Sequence, residues 1–554
     1  MKNKVLKIFA LALILNFYAC DTAKDSSKTT ENDFFVTEAV KEEADAVYDK
    51  SRSGKKMYAE ESLSDIASPD GIPADGNPNL NTEEYDKIAE NAFLNAKSNP
   101  LSTFSIDVDN ASYSNVRRML NNGQMPDKGA VRVEEMINYF DYDYLNPTGK
   151  HPFSIYTETG ECPWNVNHKL FHIGIQGKKL DYNDIKPSNL VFLLDVSGSM
   201  EDENKLPLLR KSFKLLLNEL SQEDKVSIVV YAGAAGMVLS PTPASEKAKI
   251  IKALDDLKAG GSTAGGAGIQ LAYKTAKENL IKDGNNRVIL ATDGDFNVGT
   301  SSTSSLVDLI EEKRRDNIYL TILGFGMGNY KDGRMEQISN AGNGNYFYID
   351  NIKEAEKVFV KEMRANMFTI AKDVKIQIEF NPAQVKYYRL IGYENRILAK
   401  EDFNDDKKDA GELGAGHTVT ALYEIIPASS NEEIGEKVDD LKYRKTRNNE
   451  FTGSGDEILT IKFRYKPIHS DKSILITKTV KYDNKKFENT SNNFRFSAAV
   501  ASFGMLLRDS KYKGKADYGL AYLLAKESLD DDENGYRKEF TELIKTAERI
   551  STEK

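Results

Sequence analysis

The chain has 554 residues with a formal net charge of −10, and 40% of its residues are hydrophobic. A single core rarely extends over such a length, so we expect two to four domains, and the hydrophobic content excludes a chain that is disordered throughout. The acidic balance, without a basic stripe, argues against binding to nucleic acid, because phosphates require clustered Lys and Arg.

The first residues, MKNKVLKIFALALILNFYAC, have the layout of an export signal. Lysines precede an apolar run from Ile8 to Leu15, which is too short for a stable membrane-spanning helix of about 20 residues. The cysteine directly after Ala19 resembles the lipobox of bacterial lipoproteins, although Phe17 stands where leucine is more common. The resemblance implies lipidation of Cys20 and anchoring to an envelope membrane, with the outer membrane or cell surface favoured over the inner membrane. An ordinary secretion signal is the alternative.

Residues 21–92 are rich in Ser, Thr, Asp, Glu, Lys and Asn, and they include the turn-forming run SPDGIPADGNPNLNTEE. We interpret this segment as a disordered tether. A flexible coil of roughly 70 residues spans about 45 Å on average, so it would hold the folded part clear of a membrane.

Residues 93–186 are predicted to form a small α/β domain. The alternating run TFSIDV indicates a strand that leads into a helix, and VRVEEMINYFDYDYL predicts a second helix. Asp107 and Asp109 have the spacing of metal ligands. We nevertheless expect Asp109 or Asn110 to cap the helix that follows, because capping is the commoner role of such residues.

Residues 187–370 alternate between strand and helix patterns. Continuous apolar runs predict strands at 190–194, 226–231, 287–291, 318–325 and 346–349. Amphipathic helices lie between these runs, which indicates an α/β fold with a doubly wound, mostly parallel sheet covered on both faces. The run AGAAGMVLSP after the second strand predicts a hairpin and therefore one antiparallel edge strand.

Residues 371–485 change to a period of two, as in DVKIQIEF and ILTIKFRY, which predicts an antiparallel β domain of the sandwich type. A polar insertion, ASSNEEIGEKVDDLKYRKTRNNEFTGSGD, interrupts it. Residues 486–554 return to helical patterns and are predicted as a helical C-terminal segment.

Polar side chains are predicted to meet at one rim of the parallel sheet. Asp195, Ser197 and Ser199 lie in DVSGS at the end of the first strand, and Asp293 lies in TDGD after a neighbouring strand. Thr263 lies in GGSTAGGAG, on the loop before a helix. Because ligands bind beyond the carboxyl ends of strands in such sheets, we expect the three loops to converge there.

All five residues offer hard oxygen donors, which favours Mg²⁺, with Mn²⁺ and Ca²⁺ as alternatives. Hydroxyls outnumber carboxylates, so a bound ion keeps positive charge and attracts an acidic residue from a partner protein. The alternative interpretation is that Ser197 and Ser199 cap the next helix and Asp293 simply ends a strand.

These residues resemble the metal ion-dependent adhesion site of the von Willebrand factor type A domain, D-x-S-x-S followed by a distant Thr and a distant Asp. The resemblance implies that Asp195, Ser197, Ser199, Thr263 and Asp293 hold the ion, with the serines usually binding directly and the acids often through water. The runs STFSIDVDNASYSNVRRML and ILGFGMGNYKDGRMEQISNAGNGNYFYID are similar to bacterial YfbK-like proteins, over roughly residues 93–550.

The function that follows is non-enzymatic binding of a protein partner. A Mg²⁺-dependent hydrolase is one alternative, although no general base or phosphate-binding lysine is evident beside the site. A scaffold with an empty site is another. A nucleotide is not expected, because GFGMGN has Asn329 in place of the third glycine of a dinucleotide fingerprint.

Overall fold

Strands from distant parts of the sequence pair in β-sheets in the computed structural model. It describes residues 83–180, 186–261, 265–294, 296, 303–328, 330–408, 410–434, 455–483, 485–530 and 532–553. The signal segment with Cys20, most of the tether, Thr263, Asn329 and most of the polar insertion therefore lie outside the described residues.

The first part of the described chain contains β1 (Leu94–Asn95), β2 (Leu101–Ser105), α1 (Ala111–Asn121), α2 (Val133–Asn138), β3 (Phe153–Cys162) and β4 (Asn165–Gly177). The central part contains β5 (Ser188–Asp195), α3 (Leu206–Glu219), β6 (Lys225–Tyr231), β7 (Ala235–Pro243), α4 (Lys247–Asp255), α5 (Gly265–Glu278), β8 (Asn285–Thr292), α6 (Thr303–Arg315), β9 (Tyr319–Phe325), α7 (Asp332–Ala341), β10 (Tyr346–Ile349), α8 (Ile352–Glu356) and α9 (Met363–Met367).

The last part contains β11 (Thr369–Phe380), β12 (Val385–Ile391), β13 (Gly411–Gly414), β14 (Thr418–Pro427), β15 (Glu457–Lys466), β16 (Ile474–Lys481), α10 (Asn492–Leu507), α11 (Tyr518–Lys526) and α12 (Tyr536–Thr552).

The central strands form one sheet in the order β10-β9-β8-β5-β6-β7. The pairs are parallel except β6 with β7, which is antiparallel. Along β5, Phe192 packs into the core on one face and Leu193 into the core on the other. Helix α3 covers the first face and α5 the second, which explains the continuous apolar strands. The predicted doubly wound sheet with an antiparallel edge strand is confirmed.

The flanking segments are not separate units in the structure, unlike their prediction as two domains. Strands β3 and β4, from residues 93–186, join β1, β12 and β14 in one sheet, and β2 pairs with β11 of a facing sheet that also holds β13, β15 and β16. Phe171 lies opposite Tyr423 in the register of β4 and β14. The sequence period identifies each strand but carries no information on its partner, because this pairing joins residues about 250 positions apart.

The C-terminal helices pack on the N-terminal ones in the same way. Phe496 and Phe540 share a core with Tyr113 and Phe140 of the first part of the chain. The Phe140 and Phe540 ring centroids are 5.5 Å apart with an edge-to-face orientation. The predicted helical segment is therefore helical, but its apolar faces are buried against residues 111–140.

Residues 83–92, predicted as the end of the tether, contact the folded part. The Glu83 carboxylate accepts hydrogen bonds from Arg118 and from the backbone N–H of Gly328, both at 2.9 Å. The Glu84 N–H donates to the Tyr330 carbonyl at 3.0 Å. The polar composition of this segment gave no indication of the contact, because the segment is held by ion pairs and backbone hydrogen bonds and not by an apolar stripe.

Candidate metal site at the rim of the parallel sheet

Two strand ends place acidic residues side by side. Asp195 is the last residue of β5, and Asp293 directly follows β8. The two strands are parallel neighbours, with Leu194 paired to Ala291. Both carboxylates are fully buried. The structure thus brings Asp195 and Asp293 to the same rim, as the sequence predicts.

The DVSGS loop folds back on its own aspartate. The Ser197 N–H donates to Asp195 Oδ1 at 2.9 Å, and the Thr292 hydroxyl donates to Asp195 Oδ2 at 3.2 Å. The Ser197 and Ser199 hydroxyl oxygens are 3.0 Å apart. Ser197 is buried and Ser199 is exposed, so the pair points from the interior to the surface.

The Ser197 side chain does not cap the turn that follows it. Ser197 precedes a short 3₁₀ turn, yet its side chain makes no capping hydrogen bond. The alternative that Ser197 caps the next helix is therefore wrong. The loop is also held to the glycine-rich segment before α5, because Gly198 N–H donates to the Gly261 carbonyl at 3.0 Å. That contact brings the chain preceding Thr263 to the rim, while Thr263 itself lies outside the described residues.

The carboxylates of the rim differ in their hydrogen bonds. Burial raises the pKa of Asp195, and the charge of Asp293 adds to this, while hydrogen bonds from Ser197 oppose it. Asp293 Oδ1 is buried and has no hydrogen-bond partner among the described residues. A buried carboxylate oxygen without a partner costs free energy, and a cation satisfies it well. Together with the hydroxyls, this oxygen gives a donor set that fits a hard divalent cation.

Lys205 is a residue of the site that sequence reasoning missed. Its ammonium donates to Asp293 Oδ2 at 3.1 Å and to the Ser199 carbonyl at 2.9 Å. Gly326, with a φ of +72°, makes room for it, since a Cβ there would lie 2.3 Å from Lys205 Cε. Sequence reasoning found no phosphate-binding lysine beside the site; the structure places a lysine there, and its ammonium is paired with Asp293. Lys205 lies ten positions after Asp195 on the same loop, but only the fold shows where its side chain points.

A second group of carboxylates lies elsewhere in the structure. Asp109, Glu135 and Glu336 are buried, and their oxygens lie within 4.8 Å of one another. Asp109 accepts from the Tyr346 N–H at 2.9 Å and from Arg396 at 3.1 Å. The prediction of a helix cap is wrong, because Asn110 occupies the cap position of α1 without a side-chain hydrogen bond and Asp109 turns inward.

Arginines supply the positive charge of this second cluster. Glu135 contacts Arg132, and Glu336 lies 3.2 Å from Arg396. Burial raises the pKa of Asp109 well above its usual range and that of Glu135 to about 7. The cluster joins α1 and α2 to α7 as a buried ion-pair network. Its guanidinium groups supply the positive charge that a metal ion would otherwise provide.

Among the helices that the structure describes, none combines the length and apolar character needed to cross a membrane.

Three family models match the chain. One described as "von Willebrand factor" matches residues 79–172, one described as "von Willebrand factor type A domain" matches residues 189–361, and "Uncharacterized protein YfbK, C-terminal" matches residues 365–550.

Among curated proteins, the chain is 41% identical over 480 residues to "Uncharacterized protein YfbK" of Escherichia coli (strain K12), covering 85% of this chain and 82% of that protein. It is 27% identical over 194 residues to "Uncharacterized protein sll0103" of Synechocystis, covering 35% of this chain and 45% of that protein. Among solved structures, a von Willebrand factor type A protein from Catenulispora acidiphila is similar, with 15% identity, a TM-score of 0.38, and coverage of 71% and 91%.

Proposed function

This chain belongs to the YfbK family and contains a von Willebrand factor type A domain, and we propose that it is a non-enzymatic protein that binds a partner protein through a divalent cation. The residues that would hold the cation are Asp195, Ser197, Ser199, Thr263 and Asp293. Mg²⁺ is the cation that we favour, with Mn²⁺ and Ca²⁺ as alternatives. The partner would contribute an acidic side chain.

The observation that carries this proposal is the buried Asp293 Oδ1, which has no hydrogen-bond partner among the described residues and lies at the rim where Lys205 links Asp293 to Ser199. Buried polar atoms are almost always hydrogen-bonded, so an unpartnered carboxylate oxygen at a strand end is compatible with a ligand that the protein is built to accept. A bound divalent cation supplies an electrophilic contact for a carboxylate oxygen from outside.

Lys205 sets the charge of the proposed site. By donating to Asp293 Oδ2, it holds the carboxylate in one orientation and leaves Oδ1 for a cation. Asp195, Asp293 and the Lys205 ammonium together carry a net charge of about −1. The Asp202 carboxylate, 3.6 Å from the same ammonium, is 73% exposed, so water screens its charge. A divalent cation would therefore remain under-neutralised, which favours an acidic partner over a neutral one.

The same residue argues against the hydrolase alternative. A lysine that binds a substrate phosphate must be free to approach it. The Lys205 side chain is only 8% exposed and its ammonium is engaged by Asp293 and the Ser199 carbonyl. We therefore prefer binding to catalysis.

The proposal includes anchoring through lipid on Cys20, in an envelope membrane, with residues 21–82 between the anchor and the folded part. Its support is the order of lysines, apolar run and Ala19-Cys20 in the sequence. Wild type should enter the detergent phase of a Triton X-114 separation after expression in a bacterial host. Cys20→Ser should enter the aqueous phase, and equal partition of the two proteins would contradict lipidation.

The cation-dependent step can be tested with defined peptides. Mn²⁺ bound to the protein accelerates water-proton relaxation, and a peptide acid that replaces a coordinated water should lower this acceleration. We expect an N-acetylated, C-amidated hexapeptide with one Glu to lower it and the matched Gln peptide to have no effect. Ser199→Ala should lose the response, whereas Ser240→Ala, an exposed serine on β7, should keep it. Equal effects of the Glu and Gln peptides on wild type would overturn the proposal.

A further inference from the structure

Arg287 is a buried arginine at the start of β8, at the opposite end of that strand from Asp293. Only 2% of the residue is exposed. Its Nη1 donates to the Thr321 hydroxyl at 2.6 Å, and its Nε has no hydrogen-bond partner in the described part of the chain. None of the described carboxylates forms an ion pair with it, whereas the buried Arg117, Arg132, Arg389 and Arg508 each contact at least one acid.

A buried guanidinium without an anion is unfavourable. Moving an ion from water into a protein interior costs several kcal/mol unless an opposite charge compensates it. Burial lowers the pKa of Arg287 to about 10, so the group still carries its charge at neutral pH. The Tyr319 ring, with its centroid 5.7 Å from the guanidinium carbon, and the charge of Glu412, which raises the pKa of Arg287 against the effect of burial, offer only partial compensation.

Arg287 lines a cavity of about 210 Å³ between the parallel sheet and the sheet that contains β2 and β11. Asn340 and Asn345 line the cavity from the side of the parallel sheet, and Ser105 and Thr369 line it from the side of β2 and β11. A protein cavity of roughly 150 Å³ accepts benzene, so this one has room for a small organic molecule. The Asn340 side-chain oxygen is buried and has no hydrogen-bond partner within the described ranges.

The other charged groups of the cavity restrict the chemical class of ligand that it can bind. Arg396 forms ion pairs with Asp109 and Glu336, so these acids already neutralise its charge. Asp107 and Glu412 also line the cavity and disfavour a ligand with a second negative charge. They favour a hydrogen-bond donor or an ammonium group on the same molecule.

We propose that this cavity binds a small amino acid or hydroxy acid, whose carboxylate pairs with Arg287 and whose amino or hydroxyl group donates to the Asn340 side-chain oxygen. Bidentate pairing with a carboxylate is the interaction that suits a planar guanidinium. The site is independent of the rim, because Asp293 lies six positions after Arg287, a distance of about 20 Å along an extended strand.

Calorimetry on the full chain tests the proposal with the standard amino acids, L-lactate and acetate as probes, each up to 20 mM. At least one amino or hydroxy acid should bind saturably and at least tenfold tighter than acetate. Arg287→Gln should weaken that binding at least tenfold, while Arg549→Gln, an exposed arginine on α12, should leave it unchanged. Failure of every probe to bind wild type, or equal binding by Arg287→Gln, would overturn the assignment.

A second variant keeps the test decisive if Arg287→Gln fails to fold. Asn340→Ala removes the proposed acceptor and retains the arginine, with folding checked by circular dichroism. It should weaken the amino or hydroxy acid at least fivefold and change acetate affinity less than twofold. An unchanged affinity for the amino or hydroxy acid would contradict the contact. Binding of the amino or hydroxy acid should persist in EDTA and in Asp293→Ala. Failure of the Arg287 site would therefore be distinguishable from failure of the rim site.

Discussion

The two carboxylate clusters of this protein have similar residues and opposite character. At the rim, Asp195 and Asp293 contact hydroxyl, backbone N–H and ammonium groups, and one buried carboxylate oxygen has no hydrogen-bond partner in the described part of the chain. In the interior cluster, Asp109, Glu135 and Glu336 each contact an arginine. Converging carboxylates therefore favour a cation site only where the protein's own cationic side chains leave carboxylate oxygens unsatisfied.

The largest effect should come from breaking the interior cluster. Arg132→Met leaves Glu135 and Asp332 buried without their guanidinium partner. Removing one member of a buried ion pair costs about 3–5 kcal/mol, so the free energy of unfolding in urea should fall by this amount. Arg549→Met on the surface should change it by less than about 0.5 kcal/mol. A stable Arg132→Met protein would show that the arginine is not needed for charge balance.

Removing a rim carboxylate should act mainly on cation binding. Asp293→Ala should weaken Mn²⁺ binding about 100-fold or more, which corresponds to roughly 2.7 kcal/mol, as measured by calorimetry. Unfolding should shift to lower urea, because Lys205, only 8% exposed, loses its ion-pair partner. The shift should be smaller than for Arg132→Met, since a buried unsatisfied oxygen is removed as well. Wild-type affinity in Asp293→Ala would exclude this residue from the site.

Lys205→Met should change cation affinity in the opposite direction. The ammonium competes with a cation for Asp293, so its removal should tighten Mg²⁺ binding about three- to tenfold. The acidic peptide should then bind more weakly, because the ion is better neutralised. Lys211→Met, an exposed lysine on α3, serves as the control. A weaker Mg²⁺ affinity in Lys205→Met would mean that the lysine supports the site by orientation alone.

The smallest effect concerns pH. The pKa of Glu135 is raised to about 7 by burial, so the folded protein holds a proton there that the unfolded chain releases near pH 4.5. The contribution of Glu135 to the free energy of unfolding is present at low pH and is lost as pH rises through 7. Between pH 6 and 8, wild type should lose about 1 kcal/mol more than Glu135→Gln in urea unfolding. Parallel pH profiles of the two proteins would contradict the raised pKa.

Local patterns predicted much of the central sheet because each strand and helix there has its own apolar period. The run from Leu190 to Leu194 is buried on both faces, and the loop after it holds the DVSGS motif. The resemblance to the von Willebrand factor type A and YfbK-like families, inferred from such motifs, is confirmed by the comparisons. Pairing of β4 with β14 could not be predicted, since it depends on partners far along the chain.

The direction of individual side chains was the second feature that could not be predicted from the sequence. Asp109 has the composition and position of a cap residue, and only the arrival of Arg396 and Tyr346 from distant segments turns it inward. Lys205 looks like an ordinary residue before a helix until Gly326 leaves space for it beside Asp293. Both residues acquire their roles from tertiary contacts, which a single sequence does not show.

Anomalous diffraction from crystals soaked in Mn²⁺ samples the rim and the interior cluster in one experiment. We expect one strong peak at the rim, within about 2.0–2.6 Å of the Ser197 and Ser199 hydroxyl oxygens, and no peak among Asp109, Glu135 and Glu336. A peak in the interior cluster with none at the rim would contradict it.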